Sequence, residues 1–364
     1  LDARRRLLDC DDIDPVVADV LEYSTFAQKT AGGKFQAMLD RMAKDDRTRG
    51  AFVPNGAHSG RFVSFGIQVH NLPRDCMKDP DAVRQDMIAL DGPALAAKYD
   101  MPVMHLLSKM LRAAIHGDLL ISDWSAIEGR VGPWLCNTRA GEAKLDIYRA
   151  GLDPYVLAAQ SIYGDVEIDS DKRQVGKVAE LALGFAGGLG AFQSMARGYG
   201  VQVSDEAAEE IKVRWRSANP WAVSMWSKVE NAAKKAVRSP GVEYRAGRLT
   251  YVAAEGILAG GTTLFCILPD GRPITYPQVR IEEQMAPWGE MTEVLTAMRS
   301  TRKPKAGEKQ WPRVKLWKGL LMENAVQGTA ASLLRHALRE AHRYGLQVIL
   351  HVHDELVVEG GDME

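Results

Sequence analysis

The chain has 364 residues, 46% of them hydrophobic, so it can bury a large core and is expected to form two or more lobes. Its formal net charge of −1 excludes a uniformly basic nucleic-acid binder, although a basic groove on a balanced body stays open. The four cysteines lack CxxC spacing, which argues against a zinc site or a disulfide framework. No apolar run reaches the length of a membrane span, and the first residues lack a signal peptide's apolar region. We therefore expect a cytoplasmic protein without membrane contact.

The first part of the chain changes character near residue 47. Residues 15–46 have apolar positions at spacings of three and four, which predicts helical structure. Residues 47–74 are rich in Gly, Asn and Arg, which is typical of a structured loop with short strands that presents cations and amides. Arg61 follows Ser59 and Gly60, where a flexible backbone could aim its guanidinium group; an ordinary surface loop is the alternative.

A short apolar strand, Leu119–Ile121, is followed by Asp123 and then by helical spacing from Ser125 to Trp134. This order can place a metal ligand on a rigid edge, or Asp123 can simply cap the helix. Glu128 lies five residues further on, about 140° round a regular helix, from where it could face the same cleft.

Four side chains recur every four residues in the segment 171–192, namely Arg173, Lys177, Leu181 and Phe185. Successive positions advance by about 40°, so the four span about 120° of one helix face. Two cations followed by an aliphatic and an aromatic side chain suit a nucleotide, with the cations at the triphosphate and apolar surface under the base. An amphipathic helix with a charged first turn would explain the same pattern.

Two further features of the middle of the chain carry expectations. Gly176 and Gly184 each weaken the predicted helix by about 1 kcal/mol relative to Ala, which indicates a steric purpose. Residues 299–318 are basic and contain two prolines, so we expect a flexible cationic connector. Phosphate contact and plain solvation explain these charges equally well.

The remaining segments before the end of the chain are assigned from their periodicity. Residues 205–238 are predicted to be helical, with their three tryptophans in the core, and residues 242–277 contain β-like runs. Residues 316–344 are predicted to form one helix, with Glu323 and Gln327 one turn apart on a shared face.

The last segment predicts a tight β-hairpin in a buried sheet. In residues 347–359 two apolar, β-branched runs flank His353, Asp354 and Glu355. A carboxylate at the end of a buried strand is costly unless a cation meets it, and hard divalent cations prefer carboxylate oxygens. Neighbouring strand residues point to opposite faces, so Asp354 is the expected ligand. A capped turn with solvated charges is the alternative.

Together these stretches resemble family A DNA polymerases, the bacterial DNA polymerase I type, and most closely the phage and prophage branch. Five segments occur in the family's order: SGRFVSFGIQVHNLPR, DWSAIEGRV, RQVGKVAELALGF, ENAVQGTAASLL and HVHDELVVE. The resemblance implies an α/β (α+β) right-hand polymerase fold, with an antiparallel palm sheet, a helical fingers insertion, and an incomplete thumb and C-terminus. It implies palm in residues 1–135, fingers in 136–314 with the nucleotide-binding helix at 171–187, and palm again in 315–364.

The resemblance also implies the function, which is template-directed addition of dNTPs to a primer 3′-hydroxyl by two-metal phosphoryl transfer in phage or prophage replication. The implied cofactor is a pair of Mg²⁺ ions, with Mn²⁺ as a substitute. The implied partners are primer–template DNA and dNTPs, in the cytoplasm of a bacterial or phage-infected cell. A processivity factor and an upstream exonuclease domain stay open.

The same resemblance assigns roles to individual residues. The implied metal ligands are Asp123, Asp354 and the carbonyl of Trp124, and the implied catalytic residues are Asp123, Asp354 and Lys177. The implied nucleotide contacts are Glu128 as the steric gate beneath the sugar, Arg173 and Lys177 at the triphosphate, and Leu181 and Phe185 near base and sugar. The implied DNA contacts are Arg61, Gln327, His353 and Glu355.

The sequence departs from the family at a few positions. Leu181 stands where the family often has an aromatic residue, Phe185 where it has Tyr, and Glu323 where bacterial members have Asn. The differences at Leu181 and Phe185 bear on how the chain would discriminate between nucleotides.

Rival functions stay open beside the resemblance. One is a catalytically incomplete fragment that binds primer–template. Another is a metal-dependent phosphohydrolase built on HVHDE, in which His351 and His353 share a strand face. A single-subunit RNA polymerase would share the palm chemistry, but Glu128 beneath the sugar favours deoxynucleotides.

Overall fold

The computed structural model describes residues 13–18, 20–21, 31–164, 166–256, 260–285, 289–300 and 310–360. The chain divides into two compact units. The first comprises residues 1–56, 62–122 and 341–364, and the second comprises residues 57–61 and 123–340. None of the helices within the described ranges combines the length and the apolar character that crossing a bilayer requires.

The first unit combines short helices with small sheets. Its helices are α1 (Ala31–Asp40), α2 (Pro80–Ala89), α3 (Gly92–Tyr99) and α4 (Val103–Met110), and its 3₁₀ turns are Val69–Asn71 and Arg112–Ala114. Its strands are β1 (Phe52–Val53), β2 (Val63–Ser64), β3 (Leu119–Asp123), β11 (Gln347–Val352) and β12 (Glu355–Glu359). Strand β1 pairs with β2, and the larger sheet has the order β11-β12-β3. The final residue of β3, Asp123, already belongs to the second unit.

The predicted C-terminal hairpin is confirmed, because β11 and β12 pair antiparallel from Gln347↔Glu359 to Val352↔Glu355. The expectation that its sheet is buried is wrong. In the end strand β3, Leu120 and Ile121 are 48% and 65% exposed. The apolar residues of these strands therefore reflect the preference of β-branched side chains for extended backbone more than burial on both faces.

In the part of the chain that the structure describes, seven helices follow Asp123 in succession in the second unit. They are α5 (Ile127–Cys136), α6 (Arg139–Arg149), α7 (Pro154–Tyr163), α8 (Ser170–Leu183), α9 (Leu189–Gly198), α10 (Asp205–Ala218) and α11 (Pro220–Arg238). Several begin where the sequence offers an N-cap, since a side-chain oxygen there accepts a hydrogen bond from a backbone N–H of the first turn. These caps are Thr138, Asp153, Asp169 and Ser204.

Two sheets and one long helix follow in the second unit. The first sheet has the order β4-β5-β6-β7 and consists of β4 (Tyr244–Ala246), β5 (Leu249–Glu255), β6 (Thr262–Ile267) and β7 (Pro273–Tyr276). The second has the order β10-β9-β8 and consists of β8 (Arg280–Met285), β9 (Met291–Met298) and β10 (Arg313–Leu316). Helix α12 (Lys318–Arg343) comes next, and its last residues belong to the first unit.

Each unit has its own apolar core. In the second unit one large cluster joins the helices to both sheets, and it contains Trp215, Trp221 and Trp226, as the sequence predicts. In the first unit two smaller clusters form around Leu111 and around Leu106. The large cluster supports the helices that carry most of the predicted nucleotide contacts.

Three sequence expectations are corrected by these element bounds. Helix α8 ends at Leu183 instead of residue 187, because the chain turns at Ala186, whose φ is +58°. The predicted connector 299–318 contains a regular strand, β10, although its residues 301–309 lie outside the described part. In the predicted helical stretch 15–46, helix α1 ends at Asp40 instead of residue 46, and residues 22–30 lie outside the described part.

Candidate active site

Helix α12 presents two polar side chains on one face, as the sequence predicts. Gln327 Nε2 donates a hydrogen bond of 3.0 Å to Glu323 Oε1, one turn earlier. Burial raises the pKa of Glu323 above its usual value, and the neighbouring charge of Glu128 raises it further. Glu128 lies in the first turn of α5, so α5 and α12 bring two carboxyl groups into one site.

Arg61 and Glu128 form an ion pair inside the second unit. The distance from Arg61 Nη2 to Glu128 Oε1 is 2.5 Å, and the two side chains are 21% and 33% exposed. A charge-assisted hydrogen bond between partly buried groups restrains both side chains more firmly than a surface pair would. The structure thus brings a residue predicted to contact DNA against the residue predicted to lie beneath the sugar.

Two arginines that sequence reasoning missed hold the loop 57–61 in place. Arg272 Nη1 donates to the carbonyl oxygen of Ser59 at 3.4 Å, and Arg335 donates to that of Gly60. Burial lowers the pKa of Arg272, and the nearby charge of Arg335 lowers it further. The loop ends at Arg61, which pairs with Glu128 of α5. These contacts therefore fix the backbone position from which Arg61 reaches Glu128.

The same loop packs closely on α12. Arg272 Nη2 also donates to the carbonyl oxygen of Gly328 at 2.5 Å and to Ser332 Oγ at 2.9 Å. A Cβ at Gly328 would lie 3.1 Å from the carbonyl oxygen of Ser59, so this position favours the smallest residue. In the sequence Arg272 marks only a turn, because nothing local shows that it reaches α12.

Helix α8 carries the two cations predicted to contact phosphate, and each of them already contacts a neighbouring side chain. Arg173 Nε donates to Asp153 Oδ2 at 2.7 Å, and its guanidinium lies 5.3 Å from the ring centre of Tyr155. Lys177 Nζ lies 5.2 Å from the ring centre of Tyr199 and 6.0 Å from that of Tyr155. Both cations are therefore oriented on one side of α8.

The carboxyl group of Asp153 has two tasks. It caps α7 by accepting from the N–H groups of Tyr155 and Val156, and it receives the bond from Arg173. Partial burial acts to raise the pKa of Asp153, but these bonds together bring it below its usual value. Sequence reasoning missed this residue, although the proline that follows made it visible as an N-cap.

The two apolar positions of the predicted α8 face differ in burial. Leu181 is 38% exposed, as a contact surface for a ligand would be. Phe185 lies beyond the end of α8, is half-buried and packs against the large core cluster. The four predicted positions therefore do not all lie on one helix, since the turn after α8 places the last of them.

A buried polar network anchors α8 from behind. Lys144 Nζ of α6 lies 2.9 Å from Glu180 Oε1, and the two side chains are only 9% and 10% exposed. Trp215 Nε1 of α10 donates to the same oxygen at 3.1 Å. Because a buried charge without its partner is costly, this network ties α6 and α10 to the helix that carries Lys177.

The two aspartates predicted as metal ligands belong to different units. Asp123 is the last residue of β3, and Asp354 lies in the turn between β11 and β12, with its N–H donating to the carbonyl of Val352 at 2.7 Å. Trp124 packs against the large core cluster. Within the described ranges no three His, Cys, Asp or Glu side chains form a group that could hold a metal ion. A shared site at Asp123 and Asp354 stays a prediction.

The histidines of the hairpin belong to an aromatic cluster in the first unit. The His351 ring stacks on Phe52 with centroids 4.0 Å apart and meets Phe62 edge-on at 4.6 Å. Burial, together with the charges of His70 and His353, lowers the pKa of His351 to about 4. A ring packed in this way has a structural role, which counts against a phosphohydrolase that uses it as a metal ligand.

The remaining predicted DNA contacts lie at the same hairpin. His353 has a left-handed backbone with φ of +56°, and its ring centre lies 4.7 Å from that of His70. Glu355 opens β12 and is half-buried. Their contacts with DNA stay predictions.

Comparison with known proteins identifies what the chain resembles. No protein-family model matches it. The DNA polymerase of Bacillus phage SP02 is 33% identical over 360 residues, which covers 95% of this chain and 52% of that polymerase. The predicted resemblance to DNA polymerases is confirmed. The chain spans about half the length of this relative.

A solved structure shows the same fold. The POL domain of Pol1 from M. smegmatis, in complex with DNA primer–template and dNTP, matches with a TM-score of 0.60 at 15% identity, over 100% of this chain and 50% of that one. The predicted polymerase fold is therefore confirmed. The boundaries predicted for palm and fingers stay predictions.

Proposed function

We propose that this chain is the palm and fingers part of a family A DNA polymerase, which extends a primer with dNTPs on a template and releases pyrophosphate. One observation carries the proposal: in the second unit, α8 presents two oriented cations, Arg173 and Lys177, followed by the exposed Leu181. Phosphoryl transfer depends on positioning and charge stabilisation, which such cations supply. The likeness to a phage polymerase supports a place in phage or prophage replication, in the cytoplasm of the host cell.

In this proposal Arg173 and Lys177 bind the triphosphate. The bond to Asp153 uses Nε of Arg173, and the guanidinium has two further nitrogens that can donate to a phosphate. Lys177, oriented by Tyr199, neutralises or protonates the leaving pyrophosphate. Base pairing and a movement of α8 would then select the correct nucleotide.

Primer–template DNA is the proposed macromolecular partner. Its predicted contacts are Arg61, Gln327, His353 and Glu355. The bond between Gln327 and Glu323 orients the amide on α12, the helix that also meets the loop ending at Arg61, which supports a shared role for Gln327 and Arg61.

The chemistry of the proposed donor set fits Mg²⁺. Two carboxylates, from Asp123 and Asp354, and the carbonyl of Trp124 are hard oxygen donors of the kind that Mg²⁺ prefers, and Mn²⁺ accepts the same donors. Asp123 ends a strand and Asp354 occupies a hairpin turn, which are rigid positions for a ligand. When bound, two such ions stabilise charge on the attacking and leaving oxygens.

Glu128 is proposed as the gate that excludes a 2′-hydroxyl. Its bond to Arg61 holds the carboxylate in one position, so that it can act as a wall beneath the sugar. Its charge contributes to the raised pKa of Glu323, so a second carboxyl group lies near it. A ribonucleotide would then meet a restrained acid at the place where its extra hydroxyl has to fit.

Primer extension with dNTPs or rNTPs on defined templates tests this proposal. We expect Mg²⁺-dependent extension that follows the template and prefers dNTPs, and Glu128→Ala is expected to raise ribonucleotide incorporation. Glu142→Ala, in an exposed pair with Arg149, is the matched control and keeps the wild-type preference. Binding of primer–template without extension would instead support a catalytically incomplete fragment, and release of nucleotide without a template would support a phosphohydrolase.

A further inference from the structure

Strand β10 and the residues that flank it carry a row of two cationic side chains between two aromatic ones. Arg313 and Lys315 alternate with Val314 and Leu316 in the strand and therefore share one side; Trp311 lies in a bend two residues before Arg313, and Trp317 directly follows Leu316. We call this row the β10 stripe. Trp311 and Trp317 are 49% and 45% exposed, and Lys315 is exposed as well.

The opposite side of β10 faces the core of the second unit. Leu316 is 2% exposed, and Val314 packs against the large cluster. The pairing with β9 continues past the strand, because the Arg299 N–H donates to the carbonyl of Pro312 at 3.0 Å. The stripe is therefore backed by a packed sheet, while about half of each tryptophan surface stays in solvent.

Strand β8 adds one cation and one carboxylate to the same face. Thr296 of β9 lies between Lys315 and Arg280 of β8 in the pairing register, and both cations are exposed. Arg313 Nη1 donates to Thr296 Oγ1 at 3.1 Å, and its Nε lies 3.9 Å from Glu282. Together these residues present three cations and one carboxylate, which is complementary to a polyanion.

One end of the stripe lies beside the proposed nucleotide site. Trp317 directly precedes α12, and a Cβ added at Gly319 would overlap both the Trp317 ring and the carbonyl oxygen of Phe185. The ring thus lies close to the turn that follows α8. Trp311 marks the other end, six residues earlier in the sequence.

We propose that the β10 stripe binds the single-stranded DNA template ahead of the primer terminus. Bases stack on Trp311 and Trp317, and phosphates meet Lys315 and Arg280. Stacking tolerates any sequence because every base has a π-face, as reading an arbitrary template requires. This inference rests on the proposed polymerase function. A merely solvated face would leave two half-exposed tryptophans at the ends of a cationic strand without an explanation.

The experiment compares the affinity of the protein for two primer–templates that share one duplex. One has a single unpaired template nucleotide, and the other has a long oligothymidine 5′ overhang. The wild-type protein is expected to bind the long overhang more tightly. The ratio of the two dissociation constants isolates the contribution of the single strand to affinity, because the duplex contacts are the same in both primer–templates.

Substitutions in the stripe are expected to reduce that ratio. Trp311→Ala should weaken binding of the long overhang about fivefold or more. Trp311→Phe and Trp317→Phe keep an aromatic ring and should keep most of the tighter binding of the long overhang. Lys315→Ala should reduce the slope of log affinity against log salt by about 0.7, as the loss of one phosphate contact does on a single strand. Tyr344→Ala, an 80% exposed aromatic residue elsewhere, is the control and should change neither quantity.

Two results would overturn the inference. One is a wild-type protein that binds both primer–templates equally, as it would if the stripe met a protein or only solvent. The other is a Trp311→Ala variant that keeps the whole gain. Extension of the primer by the wild-type protein is measured separately. If the protein extends the primer but the stripe does not bind the overhang, only this inference fails; if the protein does not extend the primer, the polymerase proposal itself fails.

Discussion

Replacing Gly176 by Ala tests how closely α7 and α8 pack. In an ordinary helix this change stabilises by about 1 kcal/mol, because Ala loses less conformational freedom on folding. Here a Cβ would overlap the carbonyl oxygen of Tyr155 and would lie 2.9 Å from the Ala159 nitrogen. Both atoms are backbone of α7, so a side-chain rotation cannot relieve the overlap.

The expected magnitude follows from these opposing effects. Overpacking a well-packed contact costs about 1–3 kcal/mol, and overlap with backbone belongs at the upper end of that range. After the helix-propensity gain, Gly176→Ala should lower the free energy of unfolding by about 2 kcal/mol. Because α7 also carries Tyr155 beneath Arg173 and Lys177, the KM for dNTPs should rise as well.

Urea unfolding followed by circular dichroism measures the first effect, and primer extension at varied dNTP concentration measures the second. Gly190 of α9 is the matched control, because a Cβ there would meet nothing within 4 Å. Gly190→Ala should leave the protein unchanged or stabilise it by up to about 1 kcal/mol. If Gly176→Ala is as stable as Gly190→Ala, α7 and α8 do not pack as closely as the backbone contacts of Gly176 indicate.

Three further expectations concern the same unit. Lys144→Met should lower the free energy of unfolding in urea by about 3–5 kcal/mol, because it leaves the Glu180 carboxylate buried without its cation. Adding Glu180→Gln should restore part of the lost stability, and a double variant no more stable than Lys144→Met would contradict a buried pair. The raised pKa of Glu323 stabilises the folded state fully below pH 4.5, and this contribution is lost as pH rises through the raised pKa. Glu323→Gln should therefore gain stability relative to the wild type between acidic and neutral pH, and parallel profiles of unfolding free energy against pH would refute this. Lys177→Ala should raise the KM for dNTPs far more than the dissociation constant for primer–template, and equal losses would place Lys177 in the DNA path.

Local pattern was enough to predict much of the fold. Helical periodicity placed Glu323 and Gln327 on one face of α12, and β-branched runs around a polar turn indicated the β11–β12 hairpin. The steric purpose expected for Gly176 is present as a backbone contact with α7. These features depend on residues near one another in sequence, or on a single residue's shape.

Contacts between distant segments could not be predicted in the same way. Arg272 reaches Ser59 from a distant part of the sequence, and its own sequence context shows only a turn. Likewise, the bond from Arg173 to Asp153 depends on how α7 packs against α8. The burial of the hairpin sheet was predicted wrongly, because the composition of a strand does not show which of its faces another layer covers.

The most direct test of the polymerase account is primer extension by Asp354→Asn and Asp123→Asn proteins, with primer–template binding measured on the same samples. We expect each substitution to abolish Mg²⁺-dependent extension while the affinity for primer–template stays close to that of the wild type, because each removes a carboxylate donor and leaves the DNA contacts in place. Extension at the wild-type rate by either variant would contradict it.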